Sequence, residues 1–349
     1  KLYLNKDEPA IVLPPKKEKE VTRKILESIL VRNFKLKGGS FALIDKTDTT
    51  SQRAFNNLRL ILSDLNFDFT QKQTFSSDFF FNDDFRFEFK DYVLNLPDSL
   101  NQVSIGKLMV SIDRLVLDEV RFSPRVGRFA YARVKGKQTD AMELFVPKII
   151  VDGFNLQKFI SEEKLEALTM KLESPQLEVF RDKRIEEDST VFKMMPQQLM
   201  ELSSQVLEID TLIVENGQVT YREFPIKGMV PGEITFDQFN AKMYPFGEDR
   251  KIPKVEATLR LNKAAEMKAS LSMSFKDPYP LSIEASVGAF ELSAINSILA
   301  TNAFVTVKRV TIKSGEWHFV ADKNNAIGEM TLKYNNLKVQ LLEERTLED

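Results

Sequence analysis

The stretch LIVENGQVTYRE, Leu212 to Glu223, sets two short arms of alternating apolar and polar residues on either side of Asn216-Gly217. Alternation at period 2 marks a strand with one buried face, and Asn-Gly readily adopts the positive φ angles of a type I′ turn. On that reading Glu215 pairs with Gln218, Val214 with Val219 and Leu212 with Tyr221, so that all four apolar residues share one face.

The arrangement recurs. In VTIKSGEWHFVADK, Ser314-Gly315 at the turn pairs Ile312 with Trp317 and Val310 with Phe319. In FKLKGGSFALIDK, Gly38-Gly39 pairs Leu36 with Phe41 and Phe34 with Leu43. A fourth copy, MKLESPQLEVFRDK, keeps Met170, Leu172, Leu177 and Val179 at the same offsets around Ser174-Pro175, a dipeptide that cannot form a type I′ turn. Gly39, Gly217 and Gly315 are therefore read as turn glycines, because positive φ costs little without a Cβ. FNNLRLIL at Phe55 to Leu62 and YNNLKVQL at Tyr334 to Leu341 follow two of these units and suggest a repeated hairpin with a return strand. The irregular spacing argues against a fixed-period solenoid.

Outward from these units most of the chain also alternates. Val255, Ala257, Leu259 and Leu261 share a face, as do Met267, Ala269, Leu271 and Met273, and then Leu281, Ile283, Ala285 and Val287. The short connections NKAAE and KDPYP make an antiparallel meander of them. Helical spacing is confined to short pieces: Glu20 to Leu30, Phe159 to Leu168, MMPQQLMELSSQVL, and ELSAINSILA. The fold class expected is mainly β: an extended, curved antiparallel meander sheet, groove-like or folded into a sandwich, with a few short capping helices. Nine of the 27 phenylalanines fall between Phe67 and Phe89 and make an unusually aromatic strip. Residues 1–19 are read as a linker, 20–185 and 186–349 as two β repeat regions or one continuous domain, with the charged loop Arg181 to Ser189 between them.

Composition narrows the function. With 49 basic and 51 acidic residues the net charge is -2, so no field would hold a polyanion and nucleic acid is not expected as a partner. The absence of cysteine excludes disulfides, thiol nucleophiles and thiolate metal sites. No cofactor or metal is expected. The single histidine, His318, follows Trp317 and so faces the polar side of its strand, where it reads as a solvent-facing residue. Asn82, Asp83 and Asp84 read as a turn in preference to a calcium loop. Gly136-Lys137 lacks the rest of a phosphate loop, and Glu248 and Asp249 sit in a solvated loop. The first twenty residues hold no signal peptide or membrane helix, yet the chain starts on Lys, which suggests a preceding segment.

The unit L-x-V-x-N-G-x-V-x-Y-R-E, the stretch GAFELSAINSILATNAFVTVKRVTIKSGEWHF and the ending IGEMTLKYNNLKVQLL resemble the AsmA-like proteins of bacterial envelopes, in particular their Bacteroidetes forms. The resemblance spans most of the chain and contains no catalytic signature. It implies a non-enzymatic periplasmic protein, anchored in the inner membrane by an N-terminal helix that these residues lack. It also implies an apolar concave sheet face, related to that of TamB-like bridge carriers that move lipid between membranes. The partners implied are lipid acyl chains, the membrane and other envelope proteins. Phe41, Leu43, Val219, Tyr221, Trp317 and Phe319 are the candidate lipid-contacting residues, each of which could equally belong to a closed core. Two alternatives stay open: a scaffold that binds a protein partner along a strand edge, and a glycan-acting enzyme using two facing carboxylates.

Overall fold

The computed structural model describes residues 28–44, 52–68, 85–162, 164–188, 194–195, 197–198, 207–244 and 253–343. Strands account for 64% of the structure and helices for 11%, so the chain is mainly β, as its alternation requires. The strands are β1 (Ser28–Ile44), β2 (Gln52–Asp68), β3 (Arg86–Asn95), β4 (Asn101–Val110), β5 (Arg114–Pro124) and β6 (Ala141–Asp152). They continue as β7 (Leu165–Glu173), β8 (Gln176–Asp182), β9 (Leu207–Phe224), β10 (Gly232–Tyr244), β11 (Lys254–Leu261) and β12 (Ala265–Met273). The last are β13 (Leu281–Val287), β14 (Phe290–Glu291), β15 (Val305–Val307), β16 (Thr311–Ala321), β17 (Ala326–Asn335) and β18 (Val339–Leu341). Three short helices join them: α1 (Arg128–Lys135), α2 (Leu156–Glu162) and α3 (Asn296–Asn302), the last preceded by a 3-10 turn at Leu292–Ile295.

All strands but β15 and β18, which pair with each other, form one 16-stranded sheet. Sequence neighbours pair antiparallel along most of it, and β13 and β14 both pair with β16. β7 and β8 lie end to end between β6 and β9, antiparallel to β6 and parallel to β9. The sheet therefore runs without a break past the Arg181 to Ser189 loop.

The four presumed hairpins are not hairpins. Asn216-Gly217 lies inside the 18-residue strand β9, Gly38-Gly39 inside the 17-residue β1, and Ser314-Gly315 inside β16. At Ser174-Pro175 the chain passes from β7 to β8 without reversing. The glycines read as turn residues are strand residues, and the positive φ of the motif falls on Gly38 (67°), Ser174 (47°) and Asn216 (51°).

These positions belong to a crease that crosses the sheet. Positive φ also occurs mid-strand at Asn57 in β2, Asp91 in β3, Glu119 in β5 and Gln238 in β10. In register, Asp91 stands opposite Gly106 of β4, and Gly106 opposite Glu119. A Cβ on Gly106 would lie 2.8 Å from the Glu119 carboxylate and 3.0 Å from its Cβ, so the close approach requires glycine there. Next in line come Pro147, Ser174-Pro175, Asn216-Gly217 and Gln238-Phe239. Side chains bind the crease together: Asn240 Oδ1 accepts the Asn216 amide at 2.9 Å while its Nδ2 donates to the Gln238 carbonyl at 2.8 Å.

The crease decides which way side chains point. β11 has no positive-φ residue, so Val255, Ala257 and Leu261 alternate onto one face. Their partners in β10 are Met243, Ala241 and Phe236, and the partners of these in β9 are Leu212, Val214 and Val219. Ladder partners share a face, so Val214 and Val219 face the same side although five residues separate them. The bulge in β9 and β10 resets the period of two, as bulges do. The same offset of five recurs in Phe89/Leu94, Leu117/Phe122, Ile149/Leu144 and Leu172/Leu177.

One face is apolar as a result. A single register row reads Leu36, Leu60, Phe87, Val110, Leu115, Val151, Met170, Leu212, Met243, Val255, Leu271, Ile283 and Phe319. Beyond the crease a parallel row reads Leu94, Val103, Phe122, Leu144, Leu177, Val219, Phe236, Leu261 and Ala265.

Parts of this face are covered. Leu156 of α2 and Phe154 close over Leu62, Leu115 and Val151. The 3-10 turn and α3 bring Leu292, Ile295 and Leu299 onto Leu261, Val287, Val310 and Ile312. ELSAINSILA is thus helical as expected. The candidate at Phe159 to Leu168 is cut short, because Leu165 to Leu168 joins β7 in pairing with β9. The candidate at Glu20 to Leu30 lies outside the described residues except for its end, Ser28 to Leu30, which is strand in β1. MMPQQLMELSSQVL lies largely outside them too; within it Gln197 is buried and donates to the Tyr279 carbonyl at 2.6 Å. None of the described helices is long and apolar enough to cross a membrane.

On the opposite face, α1 packs Tyr131 against Ala141, Phe180 and Phe224. Beside them Asp182, 1% exposed, accepts from Arg184 Nε and Nη2 at 2.8 Å each, and the guanidinium lies 3.5 Å from the Phe224 ring centre. These bonds from Arg184 hold the Asp182 carboxyl below its ordinary pKa. Between the folded and unfolded values the unfolded chain binds more protons, so this stabilisation is complete above the unfolded carboxylate range, near pH 4. It is lost as pH falls through the folded value. Asp182→Asn is expected to lower stability by about 1–3 kcal/mol at neutral pH. It should also flatten the acid-side fall of the urea midpoint between pH 5 and 2.

Candidate functional site

Among the described residues no helix covers the apolar row that crosses β10 to β16, a span of roughly 19 Å at about 4.8 Å per strand, although Met273 and Leu281 beside it are buried. Met243, Val255, Leu271, Ile283 and Phe319 stand side by side there, each half-buried. The adjoining row is Ala241, Ala257, Ala269, Ala285 and Trp317. On its far side stand Leu259, Met267 and Val287. Four side chains that end at Cβ thus lie between two rows of longer ones, with the Trp317 ring at the β16 end of their row and Ala257 buried.

The same face ends in a polar rim near α3. Tyr221 Oη donates to Glu223 at 2.5 Å, and Glu223 also receives Lys183 at 2.7 Å and the Asn302 amide. Burial, followed by the Glu223 contact, raises the Tyr221 pKa above its ordinary value. Nearby, Arg181 makes two bonds of 2.6 Å to Asp140, which raise its pKa. The rim holds its charges in pairs.

A broad, open depression lies on the opposite, polar face. It encloses about 1050 Å3 over β9 to β17. It is lined by the register row Lys242, Glu256, Ser270, Glu284, His318 and Glu329, and between the polar rows by Ala241, Ala257, Ala269, Ala285 and Trp317. Cations and carboxylates alternate on this face, as in Lys171 with Glu215 at 2.9 Å and Lys107 with Glu88 at 3.3 Å. Exposed pairs of this kind contribute about 0–1 kcal/mol each, and they leave the face a neutral mosaic. His318 is an exposed member of it, 3.9 Å from Glu284. No group of three or more potential metal ligands occurs among the described residues.

The residues singled out in the sequence do not converge on one spot. Phe319 ends the large apolar row and Trp317 the row of alanines, where it also packs on the cluster under the 3-10 turn. Val219 and Tyr221 lie beyond the crease, Tyr221 within the polar rim. Phe41 and Leu43 belong to β1 at the far edge, and their side chains lie outside the described residues, as do Asn82, Asp83, Asp84, Glu248 and Asp249. Leu271, Ile283, Ala257, Ala269 and Ala285 were legible as an apolar strand face, whereas Met243 and Ala241 of β10 were not singled out. Which strands share a row is long-range information. The chain matches no known protein family and no curated protein.

Proposed function

We propose that this chain is a non-enzymatic protein that shields or carries lipid acyl chains on its apolar sheet face. The setting we propose is the periplasm of a bacterial envelope, with an inner-membrane anchor outside these residues, after the AsmA-like pattern that its sequence resembles. The observation that carries this reading is the unbroken apolar row from Leu36 to Phe319, half-buried between Met243 and Phe319 with no described helix over it. An uncovered apolar face needs a partner, since soluble chains rarely leave such a strip to water. A row of large apolar side chains beside a row of alanines suits flexible chains that need no directional bonds. The paired charges of the rim suit a polar end.

Lipid extraction and native mass spectrometry of the purified protein test this. Lipid is expected to co-purify, and Leu271→Lys, which puts an ammonium in the middle of the large apolar row, should cut its yield roughly tenfold or more while the circular dichroism of the sheet is kept. A lipid-free preparation, or a variant that retains its lipid, would overturn the reading.

A further inference from the structure

The last strand of the sheet, β17, has a ladder partner on one side only. β16 pairs with it from Thr311 to Ala321, and no strand among the described residues pairs with its outer side. Nine of its ten residues are exposed and Leu332 is half-buried. Ile327 is 79% exposed, Met330 59% and Tyr334 48%. An open edge of this length, with unpaired amides and carbonyls, is a template for another strand unless something blocks it. β17 contains no proline, and the irregularity in its ladder lies in β16, between Ile312 and Ser314. Its only charges, Glu329 and Lys333, are on the polar face and form no ion pair among the described residues.

We propose that the outer edge of β17 pairs with the same edge of a second copy of this chain, antiparallel, about a two-fold axis through Thr331. The sequence of β17 is self-complementary in that register. Glu329 stands opposite Lys333 of the second copy and Lys333 opposite its Glu329, while Met330 meets Leu332 on the apolar face. Gly328, without a side chain, faces the Tyr334 ring. Moving the axis by two residues in either direction sets Glu329 against Glu329 or Lys333 against Lys333, which opposes like charges directly across the pair. With the axis perpendicular to the sheet, the apolar face stays on one side. The row that ends at Phe319 and Gly328 then passes into Tyr334 and Ile312 of the second copy. An isologous contact of this kind closes after two copies.

The chain has no cysteine, so Thr331→Cys introduces a single thiol. Directly opposed residues of an antiparallel pair have Cβ atoms about 4.5–5.5 Å apart, close enough for a disulfide after slight adjustment. Mild oxidation is expected to link Thr331→Cys chains into dimers, and Ile327→Cys, whose opposite residue is Asn335, should stay unlinked. By light scattering and sedimentation the unmodified protein is expected to dimerise. Glu329→Lys and Lys333→Glu should each weaken the dimer several-fold, and the two together should restore it. A protein that stays monomeric at all concentrations overturns the proposal. So does a dimer that ignores both single reversals, or one that the double reversal does not recover.

Discussion

Deletion of Asn216 is expected to leave the chain without its native sheet, whereas Asn216→Gly, which keeps the residue count and suits positive φ, should fold normally. β9 pairs along its length with β7, β8 and β10, so its two halves must present their apolar residues on the same side. With one residue fewer, plain alternation would turn Val219 and Tyr221 to the polar face and swing Thr220 and Arg222 toward Phe236 and Leu177. Each large apolar side chain moved from cover to water costs roughly 1.5–3 kcal/mol. For Val219 and Tyr221 together that is about 3–6 kcal/mol, which reaches the lower end of typical domain stability, about 5–15 kcal/mol. Thr220, 5% exposed, would lose its place as well. Circular dichroism and a thermal melt of the two variants decide the matter. A deletion variant that melts cooperatively within a few degrees of the parent would show that the crease does not keep the faces in phase.

Ile312→Ala is expected to lower stability by about 2–5 kcal/mol, the usual cost of emptying a fully buried branched side chain. Ile312 is 0% exposed and lies in the cluster with Leu261, Val287, Phe290 and Val310, under the 3-10 turn and α3. The cavity would open where the helical cap meets the apolar face. The urea midpoint should therefore fall with an unchanged slope. Ile327→Ala, at a residue largely in water, should stay within about 0.5 kcal/mol of the parent. A loss below about 1 kcal/mol at Ile312 would mean that the cap is not packed on the sheet.

The architecture was legible in the alternation, but the direction of the chain at the repeated motif was not. A two-residue turn and a bulge both shift the period by one, so Val214 and Val219 fall on one face under either reading. What separates the two is whether the arms pair with each other or with neighbours, and β10, 13 residues long, runs along both arms of β9. Ser174-Pro175 carried the one local clue, since proline there excludes the turn while the flanking pattern persists. The helix α1 was missed because RFAYARVK offers no side-chain cap and only two buried residues, Tyr131 and Ala132. At the candidate site the sequence marked Trp317 and Phe319 by their size. The rows that give them neighbours depend on register across five strands.

Because nearly every strand touches only the strands on either side of it, the sheet resembles a one-dimensional array, in which stability is close to a sum over adjacent interfaces. Loss of order in such an array begins at its ends, at β1 and β17, and travels inward. Most contacts form between consecutive segments, which favours rapid zippering. The parallel register of β9 with β7 and β8 is one exception, since β9 must return to the other end of β7, and the pairing of β13 with β16 is another. Such non-local pairings are expected to form more slowly than the consecutive ones.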